Sequence, residues 1–185
     1  PGPSGMNRVV IGQTTAGLAR FLLESKGRTP STRLRVVVGC DARTNSDVFA
    51  IDTATILSGH GIDVVQLPNA LPTPVLAFAV RHLNADAGVM VTASHNPPED
   101  NGYKVYLGGS DEGSQIIPPV DVKIETHIHD VAQHVVWQEI PKSEELVTQA
   151  PAHLVDDYLS STLRSVNPSG LPIKNLYPQR ARWDR

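Results

Sequence analysis

Apolar positions along this chain alternate between a helical and an extended rhythm. Over residues 7–27, Ile11, Thr15, Leu18 and Leu22 recur at steps of four, three and four, which is one face of a helix. Gly27 and Pro30 then supply a stop. Arg35-Val36-Val37-Val38-Gly39 is a short β-branched run between turn formers and reads as a strand buried on both faces. Asn45 or Ser46 can cap a second helix, along which Phe49, Thr53, Ile56 and Leu57 form one side until Gly59 and Gly61 end it. Ile62 to Leu67 is the next strand. After the turn at 68–74, Pro74 can open a helix reaching about Leu83.

Ala87-Gly88-Val89-Met90-Val91 reads as a third strand, followed by a polar loop from Thr92 to Asn101. Gly102 to Leu107 is expected as an antiparallel partner or edge strand, with a Gly-rich turn at 108–113 behind it and helices over 118–134 and 151–164. Such alternation predicts an α/β protein, a three-layer α/β/α sandwich with a mixed, mostly parallel sheet. Ligands of these sheets bind beyond the carboxyl ends of strands, so the loops beginning at Gly39 and Thr92 are where chemistry is expected. No repeat or low-complexity tract interrupts the pattern. From Asn167 on, Pro168, Gly170, Pro172 and Pro178 break it, and a linker or frayed tail is expected.

Composition narrows the classes of partner. Lys plus Arg is 16, Asp plus Glu is 19 and the net charge is -3, so no electrostatic case exists for nucleic acid or an acidic membrane. No apolar stretch approaches the ~20 residues of a membrane span, and residues 1–5 lack the pattern of a signal peptide. Cys40 is the single cysteine, which excludes an internal disulfide and makes a reducing, cytoplasmic setting the default expectation. At the end of an apolar run it reads as a small buried filler rather than a catalytic thiol.

Reactive side chains are densest in Thr92-Ala93-Ser94-His95-Asn96-Pro97 and the following Asp100-Asn101-Gly102-Tyr103-Lys104. A serine at the end of a buried strand, held by a stiff Asn96-Pro97-Pro98 turn, can be presented into a crevice. A phosphate there would meet backbone N–H groups, His95 and Lys104. On the residues alone, a plain polar loop explains the same features. A Ser-His-acid hydrolase does not fit, since adjacent Ser94 and His95 are expected to diverge and no G-x-S-x-G elbow exists. Gly108-Gly109-Ser110-Asp111-Glu112-Gly113 mimics a phosphate loop, yet Ser114 stands where a lysine is required, so a hairpin turn is expected. His127, His129, Asp130 and His134 read as a solvated helix face, as do Asp156 and Asp157 beside Leu154, Tyr158 and Leu159.

The hexapeptide from Thr92 to Pro97, with Asn101-Gly102-Tyr103-Lys104 at matching spacing, resembles the phosphoserine signature of the α-D-phosphohexomutase superfamily, which includes phosphomannomutases and phosphoglucomutases. The resemblance extends over residues 1–165 through Met6-Asn7, Thr14-Thr15-Ala16-Gly17-Leu18-Ala19, Gly39-x-Asp41-x-Arg43 and Leu71-Pro72-Thr73-Pro74. It implies a mutase in which Ser94 gives its phosphoryl group to a hexose phosphate and regains one from the bisphosphate, moving phosphate between C1 and C6. Lys104 would be the acid/base or cationic stabiliser, and a lysine serves as a base near neutral pH only where burial or another cation lowers its pKa. His95, Thr92 and Asn96 would shape the phosphate loop. Arg43 would lie near it, or would serve only in an ion pair with Asp41 or Asp47.

The family also implies Mg²⁺, with a Ser94 phosphate oxygen as one ligand and the rest from an aspartate-rich D-G-D-x-D-R loop that this sequence lacks. Expected partners are hexose phosphate, hexose bisphosphate and the remaining domains of the same enzyme. On this reading residues 1–165 are the first domain without its first strand, residues 166–185 are a linker or aberrant tail, and the piece alone is inactive. The competing expectation is a stand-alone, non-catalytic binding or regulatory domain.

Overall fold

The computed structural model describes residues 5–26, 33–68 and 70–166. The expected stop at Gly27 and Pro30, and the expected tail after Val166, lie outside them. Residues 1–151 form one compact unit and residues 152–185 a second.

The first unit is built on a six-stranded sheet. Its strands are β1 (Arg35–Cys40), β2 (Asp63–Gln66), β3 (Ala87–Val91), β4 (Tyr103–Leu107), β5 (Ser114–Gln115) and β6 (Val147–Gln149), in the order β5-β4-β3-β1-β2-β6. The run from β3 through β1 and β2 to β6 is parallel, and β4 and β5 are antiparallel to their inner neighbours. Helices α1 (Arg8–Lys26), α2 (Ser46–Gly59), α3 (Thr73–His82) and α4 (Val120–His134) complete the unit.

Burial follows the periodicity of the sequence. Ile11, Thr15, Leu18 and Leu22 of α1 are fully buried, as are Thr53, Ile56 and Leu57 of α2. Leu18, Leu22, Phe49, Leu57 and Ile124 share one core with Val36, Val38, Val89, Val91 and Val105, so α1, α2 and α4 cover one face of the sheet. On the other face α3 packs on β1, β3 and β4 through buried Val75, Leu76, Ala79 and Val80. The result is the expected three-layer α/β/α sandwich around a mixed, mostly parallel sheet. Helices α1 and α4 meet at Gly17, where an added Cβ would lie 2.6 Å from Ile128 Cα. No helix among the described residues is long and apolar enough to cross a membrane.

Four local features go beyond the sequence or against it. β4 is the expected antiparallel partner of β3 rather than an edge, because β5 returns outside it after the expected hairpin turn, here a single 3-10 turn at Gly109–Asp111. β6 adds a parallel strand beyond β2 that no pattern announced. A second 3-10 turn at Trp137–Glu139 was equally silent in the sequence. Asn45 stands at the start of α2, but its backbone is left-handed (φ 63) and its side chain makes no capping bond. Capping needs an extended residue there, and the Ser46 hydroxyl goes instead to Asp41. The described part of the second unit is α5 (Leu154–Val166), with Leu159 and Leu163 about half exposed along it.

Candidate active site

Strands β1 and β3 are parallel neighbours whose chains leave in opposite directions. Residues 41–45 lead from β1 into α2 and on to β2, whereas residues 92–102 turn back from β3 into β4. Loops that part at the carboxyl ends of adjacent strands leave a crevice between them. The two loops are joined at their base, where the Asp41 N–H donates to the Val91 carbonyl (3.2 Å).

The 92–102 loop is compact. The Thr92 N–H donates to the Gly102 carbonyl (3.0 Å), Asn96 N–H to Ala93 and Asp100 N–H to Pro97. At Gly102 an added Cβ would sit 2.5 Å from the Thr92 carbonyl oxygen, so only glycine permits this closure. Ser94 occupies the corner with φ 61, a left-handed conformation that costs a non-glycine residue roughly 1–2 kcal/mol. Its side chain is exposed, and its N–H donates to Thr92 Oγ1 (3.0 Å).

Asp41 binds this corner to β1. Its Oδ1 accepts from the Arg43 N–H (3.2 Å) and from Ser46 Oγ (2.9 Å). Its Oδ2 accepts from Arg43 Nε (2.9 Å) and from the Thr92 hydroxyl. Arg43 spends three further donors on main-chain carbonyls of the loop: Nη1 on Pro97 and Asp100, Nη2 on Ser94. Asn101 Nδ2 donates to Ser46 Oγ (3.0 Å), tying the far end of the loop to α2. Arg43 pairs with Asp41, not with Asp47, and also lies beside Ser94.

Burial pushes the Asp41 carboxyl up, but the bonds from Thr92, Ser46 and Arg43 outweigh it and hold the group below its ordinary 3.8. A carboxyl depressed in the folded state adds stability above the unfolded pKa and loses it as pH falls through the folded one. Urea unfolding should therefore find wild type more stable than Asp41→Asn at about pH 7, with a gap that narrows below about pH 3.8. A gap independent of pH would mean that the carboxylate charge contributes nothing.

Ser94, His95, Thr92, Asn96 and Arg43 thus come together in one loop cluster. The expected divergence of Ser94 and His95 does not occur: Ser94 Oγ lies 3.3 Å from His95 Nδ1, because the left-handed corner swings the neighbouring side chains to one side. No carboxylate partners His95 among the described residues, so a hydrolytic triad is still not formed. Asn96 reaches Asp100 Oδ2 (3.3 Å). Lys104 sits on β4 opposite Met90, half-buried, and its ammonium makes no hydrogen bond or ion pair among the described residues. Its neighbour Tyr103 faces the α1 layer and bonds Thr15 (3.0 Å); burial pushes its phenol up to about 12, so it stays protonated and structural.

Sequence reasoning left Asp41, Ser46 and Asn101 out of the site. The spacing Gly39-x-Asp41-x-Arg43 was the available signal for the first, whereas nothing in the sequence pairs Ser46 with Asn101. The other candidates stay apart from the crevice. His127 pairs with Glu24 on α1, His129 with Gln133 and His134 with Asp130, which is a helix surface rather than a metal centre. Cys40 is buried and its thiol is pushed up by that burial. Among the described residues no group of three or more His, Cys, Asp or Glu could hold a metal ion. Asp41, the one acid at the heart of the cluster, already accepts four hydrogen bonds.

A family model described as phosphoglucomutase/phosphomannomutase, alpha/beta/alpha domain I, matches residues 2–134. The chain is 46% identical over 173 residues to the probable phosphomannomutase of Haemophilus influenzae, covering 94% of this chain and 34% of that protein. It is 42% identical over 136 residues to human phosphopentomutase, covering 70% of this chain and 21% of that protein. The crystal structure of a candidate phosphomannomutase from Thermus thermophilus superposes with a TM-score of 0.61 at 36% identity, over 68% of this chain and 27% of that one. The chain thus spans about a third or less of these relatives. The sandwich, the loop crossing from β3 to β4 and these matches agree, and the chain belongs to the phosphoglucomutase/phosphomannomutase family, matching its α/β/α domain I.

Proposed function

We propose that this chain is the phosphoserine-bearing part of a longer mutase that moves phosphate between C1 and C6 of a hexose phosphate in carbohydrate metabolism. The observation that carries the reading is the state of Ser94. Its N–H and carbonyl are both engaged, while its side chain is exposed and its hydroxyl meets His95. A residue tied down by its backbone and exposed at its side chain suits a group that must form and break a bond repeatedly.

In the proposed cycle the free sugar hydroxyl attacks phosphorus on Ser94. The new P–O bond forms on the sugar, the bond to Ser94 Oγ breaks, and the sugar hydroxyl's proton passes to solvent water, from which His95 recovers the proton it gives to Ser94. Ser94 Oγ leaves as an alkoxide equivalent and takes a proton through His95, whose ring nitrogen lies 3.3 Å away. The bisphosphate then turns over and returns its other phosphoryl group to Ser94, with the proton flow reversed. Lys104 is an uncommitted ammonium two residues into β4, and its role is to offset charge on the transferring group. Among the described residues no group builds a Mg²⁺ centre. Of the ligands such an ion needs, this chain would offer one Ser94 phosphoryl oxygen, and no step above runs through it.

The test is to label the full-length enzyme with radioactive hexose 1,6-bisphosphate and map the phosphopeptide. Label on Ser94 is expected; label on Ser110 or Ser114 alone would overturn the reading. In the same assay Lys104→Met should lower kcat by about 10²-fold or more, the scale of an acid–base or charge-stabilising group. Ser94 labelling should slow without vanishing. A variant with wild-type kcat would make Lys104 a bystander.

A further inference from the structure

We infer that Asp41 and Arg43 are positioning residues that set the orientation of Ser94, and that neither binds the phosphoryl group. The inference rests on the phosphoserine reading above and goes further into the same site.

Both peptide groups flanking Ser94 terminate on a single oxygen atom. On one side the Ser94 N–H donates to Thr92 Oγ1, whose own hydrogen goes to Asp41 Oδ2. On the other, the Ser94 carbonyl accepts from Arg43 Nη2, and the same guanidinium donates through Nε to Asp41 Oδ2. The ring closes around the corner residue, so its φ and its ψ are fixed through one carboxylate. Free serine avoids the left-handed region, and this ring is what holds Ser94 there. Arg43 Nη1 extends the grip to the Pro97 and Asp100 carbonyls, so the guanidinium is committed to the loop backbone, with its side chain only 11% exposed. Four of its five N–H groups are so used, and the one left on Nη2 is too few for a two-pronged grip on phosphate.

The hydrogen-bond inventory makes the arrangement brittle. Each Asp41 oxygen faces one donor that cannot turn away: the Arg43 backbone N–H at Oδ1 and the Arg43 Nε–H at Oδ2. An asparagine amide would therefore aim its NH₂ at a fixed donor whichever way it flips. A lysine at 43 offers a point charge on a flexible stem instead of a planar fork. It cannot span Asp41 and three carbonyls.

The experiment has two arms, each with Asp41→Asn and Arg43→Lys. In the 185-residue chain, NMR amide exchange should accelerate at Ser94 by about tenfold or more, as expected when a charge-assisted bond is lost. Amides of β1 and β3 should stay protected, which shows that the fold survives. Unchanged exchange at Ser94 would overturn the latch. In the full-length enzyme, kcat and the rate of Ser94 labelling should fall by about tenfold or more, with KM for hexose 1-phosphate little changed. A raised KM at constant kcat would make Arg43 a substrate ligand and overturn the inference. Should wild-type enzyme never label Ser94, the phosphoserine reading falls, while the exchange arm still decides the latch. If both variants unfold, Thr92→Val serves in their place, since it cuts the same ring at Ser94 N–H.

Discussion

Ser94→Ala in the full-length enzyme is expected to reduce hexose phosphate interconversion by at least about 10³-fold, with no label retained from hexose bisphosphate. The size of the effect follows from the proposed covalent relay. Without the Ser94 oxygen the phosphoryl group has no place to wait between leaving one sugar carbon and reaching the other. The fold should be untouched, because the hydroxyl is exposed and its one side-chain contact is with His95 at 3.3 Å. Serine and alanine have the same difficulty at φ 61, so a thermal midpoint within a few degrees of wild type is expected. Undiminished turnover in a stably folded Ser94→Ala enzyme would remove the mechanism.

Turnover at background level is expected for the 185-residue chain assayed alone, with Mg²⁺ and an activating bisphosphate present. The described residues bring the corner serine and His95 together, with Lys104 nearby in sequence on β4, and little else. No metal-holding group stands among them, and divalent magnesium gripped by one protein-borne oxygen binds weakly. Arg43 already gives four of its five N–H groups to Asp41 and loop carbonyls. Nothing remains to clasp the distal phosphate, and the positioning that makes phosphoryl transfer fast is lost. The check is a coupled assay following glucose 6-phosphate formed from glucose 1-phosphate, run in parallel on mannose 1-phosphate. Reproducible turnover that disappears in Ser94→Ala would make this chain a minimal enzyme.

What the sequence disclosed depended on how far each feature reached along the chain. Long periodic segments were legible: the α1 face at Ile11, Thr15, Leu18 and Leu22, and the valine run of β1, are buried as the spacing requires. Features of two or three residues were not, because Ser114–Gln115 and Val147–Gln149 are too short for alternation to register. The same division holds at the site. The loop from Thr92 to Pro97 declares itself as a contiguous cluster of reactive types. Its tie to Asp41 and Arg43 crosses from one strand end to another, more than fifty residues away in the chain, and only the sheet order brings them together. The Ser94–His95 contact was misjudged for a related reason. It depends on a left-handed backbone that residue identity alone does not disclose, serine being an unusual choice for it.

The sheet finishes out of step with its own synthesis. Its five strands from β5 to β2 are encoded by residue 115, and the crevice by residue 104, yet β6 arrives only at Val147–Gln149. A nascent chain leaving the ribosome therefore carries every candidate site residue while the backbone edge of β2, from Val64 to Gln66, still waits for its neighbour. Unpaired strand edges recruit whatever strand is at hand. A protein terminated between residues 116 and 146 would look complete by its motifs and still be sticky in the cell. Expression boundaries belong after Gln149.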